Sequence, residues 1–455
     1  MKLNGGILLL LLLFTAIWAA QLFGPYETRW DEAVYIEMGK YIFSFGHAGL
    51  WEDARPLVSP VMLGFLWKLG ANPILSVGIL LLFFSLGTIY VTYLIARDVF
   101  DERVAMLSSL FLAFMPTFLF FSKHAMTTIP STFFALLSVY FFIKNKLFLS
   151  GLFMGMSFMT RFFQLLLVVP IYMILILHDR NLGSVLRKIA VNAAGFLVFV
   201  IPYLVFNLIK YGNALHPFIL QLYLTQYTGW MFLQPFYYYL ISMPKQNVFL
   251  AFFIFGLLFV FMKKKFNSHA FLLAIVSLAF LLAFSIAPHK EMRIALMFLP
   301  YVSILASFGI VRLFQKIRHR KVVYLLIIAV FAVQAIFQYQ AEHINVQVVP
   351  FQEYIAENPI GDGLWISNPI YIVSSDQKAD ELIYYSTTNA ERISELMNQL
   401  PDARHILINT CDIPCQPWDD ACPSELESFI GRLKERFTLV YYDTFFDCRH
   451  YIFSG

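Results

Sequence analysis

Residues 7–33, ILLLLLLFTAIWAAQLFGPYETRWDEA, decide the reading of this chain. An apolar run from Ile7 to Phe23 is just long enough to cross a bilayer core, which takes about 17 residues at minimum. It stops at Gly24-Pro25, and a few residues later come two adjacent carboxylates, Asp31 and Glu32. Lys2 and the small residues Ala19 and Ala20 loosely resemble a signal peptide. Ile17 and Trp18 are poor cleavage-site residues and the run continues beyond them, so it reads as an uncleaved anchor.

The rest of the chain repeats the theme. Hydrophobic residues make up 59% of it and charged residues only 14%, which excludes an ordinary water-soluble domain. Solid apolar runs recur at 7–23, 73–96, 104–121, 126–143, 147–160, 162–178, 189–209, 246–262, 268–287, 294–313 and 322–340. They predict an α-helical polytopic membrane protein of about 11 spans; a barrel would alternate with period two. The net charge of +4 is no nucleic-acid footprint, because much of it sits in short loops. With the N-terminus cytoplasmic, inner loops hold Arg97 and Arg103, Lys144 and Lys146, Arg180, Arg187 and Lys188, Lys263-Lys264-Lys265, and the group from Arg312 to Lys321. That satisfies the positive-inside rule.

An odd number of spans leaves residues 345–455 outside, following a transmembrane unit of residues 1–344. The tail holds all four cysteines, Cys411, Cys415, Cys422 and Cys448, as expected of disulfides in an oxidising compartment. Four free thiols or a zinc site are the alternatives, but no paired Cys-x-x-Cys answers Cys411-x-x-x-Cys415. Connectivity is not deducible from spacing; Cys415–Cys422 with Cys411–Cys448 is one arrangement. Strand-like runs at 364–366, 371–373, 382–385, 405–409 and 438–442, with helical patterns at 392–400 and 424–437, predict a small α/β domain. Ser424 and Glu427 have capping-box spacing. Gly361-Asp362-Gly363 reads as a turn, not a nucleotide loop.

The first outer loop, 24–72, carries two more predicted elements. From Asp31 to Phe45 the pattern is amphipathic, with Val34, Met38, Tyr41 and Phe45 on one face and Glu37, Lys40 and Ser44 on another. Such a helix lies in the interface plane. Residues 57–69 are too short to span and contain Pro60 and Gly64. The aromatic stretch 210–245 suits the headgroup level, and its rings also suit sugar faces.

Asp31 and Glu32 are the candidate catalytic residues: a carboxylate at the mouth of a membrane cavity can accept a hydroxyl proton. Equally, an acid there caps the helix that follows. The cluster His289-Lys290-Glu291-Met292-Arg293 falls on the same membrane side. Lys290 and Arg293 are suited to clamp a phosphate, Glu291 to orient them and His289 to donate a further hydrogen bond. Arg161, in a sharp turn, is another candidate phosphate ligand, with snorkelling as the competing role. Lys123 and His124 are weaker candidates, and Arg55 lies on the same side as an orienting residue.

Three stretches resemble the GT-C glycosyltransferase superfamily. Arg29-Trp30-Asp31-Glu32-Ala33 stands where that superfamily keeps an acidic motif bearing its proposed base. Arg55-Pro56-Leu57-Val58-Ser59-Pro60 resembles a proline-bearing stretch of protein mannosyltransferases and aminoarabinose transferases. His289-Lys290-Glu291-Met292-Arg293 resembles the H-K-E-x-R motif of dolichyl-phosphate-mannose-dependent mannosyltransferases. The combination resembles a prokaryotic, archaeal-like composite in the plasma membrane. The resemblance implies inverting transfer of a sugar, mannose favoured, from a polyprenyl-phosphate donor to a glycan, lipid or protein hydroxyl. It implies membrane lipids as partners, no nucleic acid and no required cofactor. Residues 123–128 lack the further acid often found there, no metal ligands are assigned, and a divalent cation stays an open matter. A transporter or flippase of an anionic lipid or solute is the alternative; the inverted repeats and mid-membrane ionisable residues it would need are not evident.

Overall fold

The structure is a computed structural model and describes residues 4–21, 26–71, 73–179, 181–227, 229–262, 267–315, 317, 320–337, 346–383, 390–445 and 447–455. Lys2, Phe23, Arg180, Lys263, Lys264, Lys265, Lys316, Arg318, Tyr384 and Tyr385 lie outside these residues.

The chain is a polytopic helical membrane protein with a small C-terminal sheet. Among the described residues, three helices are long and apolar enough to cross a membrane unaided: Ser76–Val99, Leu182–Tyr211 and Ser268–Ile286. The other apolar helices have 10–17 residues. The outward faces of the long and short helices leave Leu9, Leu12, Phe83, Val169, Val198 and Leu325 exposed, a surface suited to lipid and not to water.

Two predicted spans are broken, each at a proline. The 104–121 run forms Glu102–Ala113 and then Pro116–Phe121, with Met115 extended between them. Pro116 has no N–H to continue the ladder and forces its predecessor out of the helical region. The 294–313 run forms a single turn, Met292–Ala295, and then Leu299–Phe314, which has Pro300 in its first turn. Both breaks sit beside the site.

Helix α1 (Gly5–Gln21) leads to α2 (Trp30–Phe43), followed by α3 (Val58–Lys68). At the start of α1 the side chain of Asn4 donates to Glu102, which also accepts from Tyr93 Oη at 2.6 Å, and Asp98, shortly before Glu102 in the chain, pairs with Lys144 at 2.8 Å. The far end of α1 delivers the chain to α2. Helices α2 and α3 cross where two glycines meet: a Cβ on Gly64 would stand 2.3 Å from the Gly39 carbonyl oxygen. The predicted interfacial character of α2 needs correction. Its polar face is not solvated, since Glu37 is 0% and Lys40 1% exposed. Lys40 Nζ pairs with Glu37 at 2.9 Å and donates to the carbonyls of Val373 (3.0 Å) and Ser375 (2.6 Å). The C-terminal residues cover that face, so α2 is enclosed on both sides.

The tail forms a five-stranded sheet in the order β2-β1-β3-β5-β4. The strands are β1 (Leu364–Ile366), β2 (Glu381–Leu382), β3 (His405–Asn409), β4 (Thr438–Phe445) and β5 (Cys448–Ser454). The β1 strand is parallel to β2 and β3, while β5 is antiparallel to both β3 and β4. Residues 371–373 are not a strand. Asn368 caps a 3₁₀ turn, Pro369–Ile372, by accepting from Ile370 N at 3.0 Å. Ser424 is not an N-cap either: the helix starts at Cys422 with Pro423 in its first turn, and Glu427 pairs with Arg449. Cys411 is joined to Cys448 and Cys415 to Cys422. Tail residues Phe351, Tyr371, Ile372, Leu407 and Ile452 share one apolar cluster with Val34, Met38 and Leu50. Gly49 bridges the same gap by backbone, donating to Gln377 O at 2.9 Å and accepting from Ala379 N at 3.0 Å. The tail therefore holds the loop that carries Asp31.

Candidate active site

Asp31 lies in the first turn of α2, and Glu32 follows it 100° further round the helix. That rotation separates their fates. Asp31 sits between two guanidiniums, with Arg55 Nη2 at 2.8 Å on one oxygen and Arg293 on the other. Burial by itself would raise the Asp31 pKa. The two arginines outweigh it and hold the carboxyl well below the usual carboxylate range, so it is ionised at any physiological pH.

Each arginine has a second acid behind it. Arg55 Nε donates to Glu52 at 2.8 Å, and Arg293 Nη2 donates to Glu291 at 2.9 Å. Burial pushes the Glu52 carboxyl up to about 7, against the pull of Arg55. Burial also opposes ionisation of Glu291, but His289 and Arg293 lower its pKa overall.

Glu291 is extended, His289 bridges Leu233 in antiparallel fashion, and Lys290 N donates to Phe232 O at 3.2 Å. Successive side chains of an extended segment point to opposite sides. His289 and Glu291 accordingly pair with each other, His289 stacking on Phe232 with ring centroids 4.2 Å apart. Lys290 turns the other way, into a cavity of about 1290 Å³. Apolar side chains including Ile17, Leu110, Phe114, Ile328, Phe331 and Ile336 wall the cavity, together with the cations Arg29, Lys123, Lys245, Lys290 and Arg293 and the acid Glu291. Lys290 is 6% exposed, and among the described residues it makes no side-chain hydrogen bond or ion pair. Burial lowers its pKa.

A second, small pocket of about 120 Å³ lies on the other side of Arg293. Asp31, Arg55, Arg161 and His289 line it, with Trp30, Tyr35, Gln221 and Thr225. The structure thus unites Asp31, Arg55, Glu291 and Arg293, and divides the expected phosphate ligands. Lys290 faces the large cavity; Arg161 and His289 face the small one.

Glu32 needs correction as a catalytic candidate. It is 0% exposed and lines neither cavity. It accepts from Ala125 N at 2.8 Å, Arg29 N at 3.3 Å and the Tyr26 hydroxyl, and meets His124 Nδ1 at 3.2 Å. These bonds fix the start of α2 to the 122–127 turn. His124, expected as a cation for phosphate, is thereby a buried partner of Glu32. Sequence reading assigned no role to Glu52 or Tyr35; the Glu52-x-x-Arg55 spacing was the available signal.

The assembly defines a class: a helical membrane protein whose large, mostly apolar cavity is bordered by Arg293, one of the two arginines that hold Asp31. A crystal structure of ArnT from Cupriavidus metallidurans bound to undecaprenyl phosphate matches with a TM-score of 0.70. The match covers 99% of this chain and 98% of that one at 13% identity. The Archaeoglobus fulgidus oligosaccharyltransferase in complex with Zn and sulfate matches at 0.62, covering 88% of this chain and 68% of that one, also at 13% identity. AglB from the same organism, in complex with an inhibitory peptide and a dolichol-phosphate, matches at 0.59 and 13% identity over 89% and 69%. This chain has the fold of the GT-C glycosyltransferases. More particularly, residues 54–206 match the family described as dolichyl-phosphate-mannose-protein mannosyltransferase. That match includes Arg55 and Arg161 but not Asp31 or the 289–293 cluster. A comparison with curated protein sequences finds no match.

Proposed function

We propose that this chain transfers a sugar from a polyprenyl-phosphate donor to a hydroxyl acceptor at the extracytoplasmic membrane face, with inversion at C1. One observation carries the reading: Lys290, with no ion-pair partner among the described residues, lines a large and mostly apolar cavity together with Arg293, which holds Asp31. A cation pair facing such a cavity favours an anionic ligand between them. A lipid phosphate supplies that anion, and the polyprenyl tail suits the apolar part of the cavity wall. The neighbours solved with undecaprenyl phosphate and with a dolichol-phosphate support this choice of carrier.

The lipid phosphate binds Lys290 and Arg293. As it draws Arg293 away, Asp31 recovers basicity and takes the proton of the attacking hydroxyl. The C1–O bond to the lipid phosphate breaks, the new C1–O bond forms on the opposite face, and the phosphate leaves as an anion stabilised by the cations. Glu52 and Glu291 keep the two guanidiniums aimed; Glu32 positions the start of α2. Mannose is the sugar the family match favours. An N-terminus in the cytoplasm and an extracytoplasmic tail place the site on the side of the disulfides.

The test is turnover by purified protein in nanodiscs, given radiolabelled polyprenyl-phosphate mannose or glucose with envelope extracts as acceptor. A labelled product of inverted anomeric configuration supports the proposal. Transfer with retention, or labelled lipid merely moving between leaflets, sinks it.

A further inference from the structure

The small pocket holds a cation that the mechanism above does not use. Arg161 ends the helix Leu147–Thr160 in an extended conformation, which turns its side chain toward the 284–294 segment. Its Nη1 donates to Thr127 Oγ1 at 3.1 Å, and its Nε is buried without a hydrogen-bond partner. No carboxylate among the described residues lies within ion-pair distance of it. Asp31, Glu52 and Glu291 are already engaged by Arg55 and Arg293. Burial disfavours its charge, as does the neighbouring Arg293.

The pocket is of a size for one sugar-scale group and offers aromatic surface from Trp30 and Tyr35, with Gln221 and Thr225 as polar partners. Arg293 lines both this pocket and the larger cavity that Lys290 faces. A guanidinium fork without an acid, at the edge of such a pocket, matches a carboxylate geometrically and electrostatically.

We propose that Arg161 makes the small pocket a subsite for a carboxylate-bearing substrate group, separate from the phosphate that Lys290 receives. This rests on the glycosyltransferase reading. The carboxylate belongs either to the transferred sugar, as in a hexuronic acid, or to the acceptor. It pairs with Arg161 and holds the reacting carbon or hydroxyl beside Asp31. Arg161 is in this view a specificity-determining residue that selects charge.

The test uses the full chain in nanodiscs and equilibrium dialysis with radiolabelled glucuronate, glucose and undecaprenyl phosphate. Wild-type protein should retain glucuronate over glucose by roughly tenfold or more, the discrimination of one charge-assisted pair. Arg161→Gln should lose that preference while still binding undecaprenyl phosphate; Lys290→Gln should keep the preference and bind undecaprenyl phosphate more weakly. Arg161→Lys, which keeps the charge without the fork, should keep a reduced preference and carries the test if Arg161→Gln does not fold. Turnover then assigns the source. A preference for a glucuronosyl over a glucosyl donor, with a neutral acceptor, places the carboxylate on the sugar. A preference for a carboxylate-bearing over a neutral acceptor, with a neutral donor, places it on the acceptor. Equal retention of glucuronate and glucose by the wild type, or a preference that survives Arg161→Gln, overturns the proposal. Failure of undecaprenyl phosphate to bind at all overturns the glycosyltransferase reading instead.

Discussion

Replacing Lys290 by Met separates a binding role from a structural one, because the two roles predict changes of opposite sign. The residue is 6% exposed and has no ion-pair partner among the described residues, and desolvation disfavours its charge in the ligand-free protein. Met has a similar length and no charge to desolvate. The ligand-free thermal midpoint should therefore hold or rise. Donor binding should weaken by one charge-assisted hydrogen bond, about 1.5–3 kcal/mol. That corresponds to roughly tenfold to 150-fold in Kd. Binding is not abolished, because Arg293 remains on the same cavity wall. The assay is undecaprenyl phosphate titration of both proteins in nanodiscs, paired with thermal unfolding without ligand. A Kd within twofold of wild type, or a midpoint that drops while affinity is unchanged, refutes the placement of the phosphate at Lys290.

Other consequences are equally concrete. Gly64→Val sets a side chain 2.3 Å from the Gly39 carbonyl, so α2 and α3 must part; overpacking costs about 1–3 kcal/mol or more, read as a lower thermal midpoint and lost turnover. Glu37 and Glu52 are both raised from 4.5 to about 7 by burial, so the folded state holds their protons more tightly than the unfolded chain does. Their contribution to stability is full below about pH 4.5 and is lost as pH rises through about 7. The Glu37→Gln/Glu52→Gln variant should flatten that fall in thermal midpoint; an equally steep fall in the variant would contradict the assignment. Cys411→Ser with Cys448→Ser removes the tie between the end of β3 and β5, for a loss of about 2–4 kcal/mol in the tail's resistance to denaturant.

Much of this was legible in the sequence because it depends on local pattern. Solid apolar runs marked the helices to within a few residues, as at Thr128–Ile143 and Leu147–Thr160. Pro116 and Pro300 stood in plain view, yet whether a proline kinks or splits a membrane helix depends on what packs beside the freed carbonyls. Adjacency misled at Asp31-Glu32, because neighbours on a helix do not share a face. The extended backbone at 289–291 did the same to the basic cluster, sending Lys290 and His289 to different cavities. The burial of Glu37 and Lys40 was invisible, since it depends on tail residues more than 300 positions away. Strand β5 was missed because its Arg449 and His450 interrupt the apolar signal.

The central claim is that Asp31 acts on the acceptor and the Lys290–Arg293 wall acts on the donor, in one site. Asp31→Asn in a single-turnover reaction with pre-bound radiolabelled donor addresses it directly. Transfer should slow by roughly a hundredfold to ten-thousandfold. Donor affinity should be equal or tighter, because Arg293 loses a competing acid. Transfer at the wild-type rate, or donor affinity that collapses along with the rate, would contradict the division of labour.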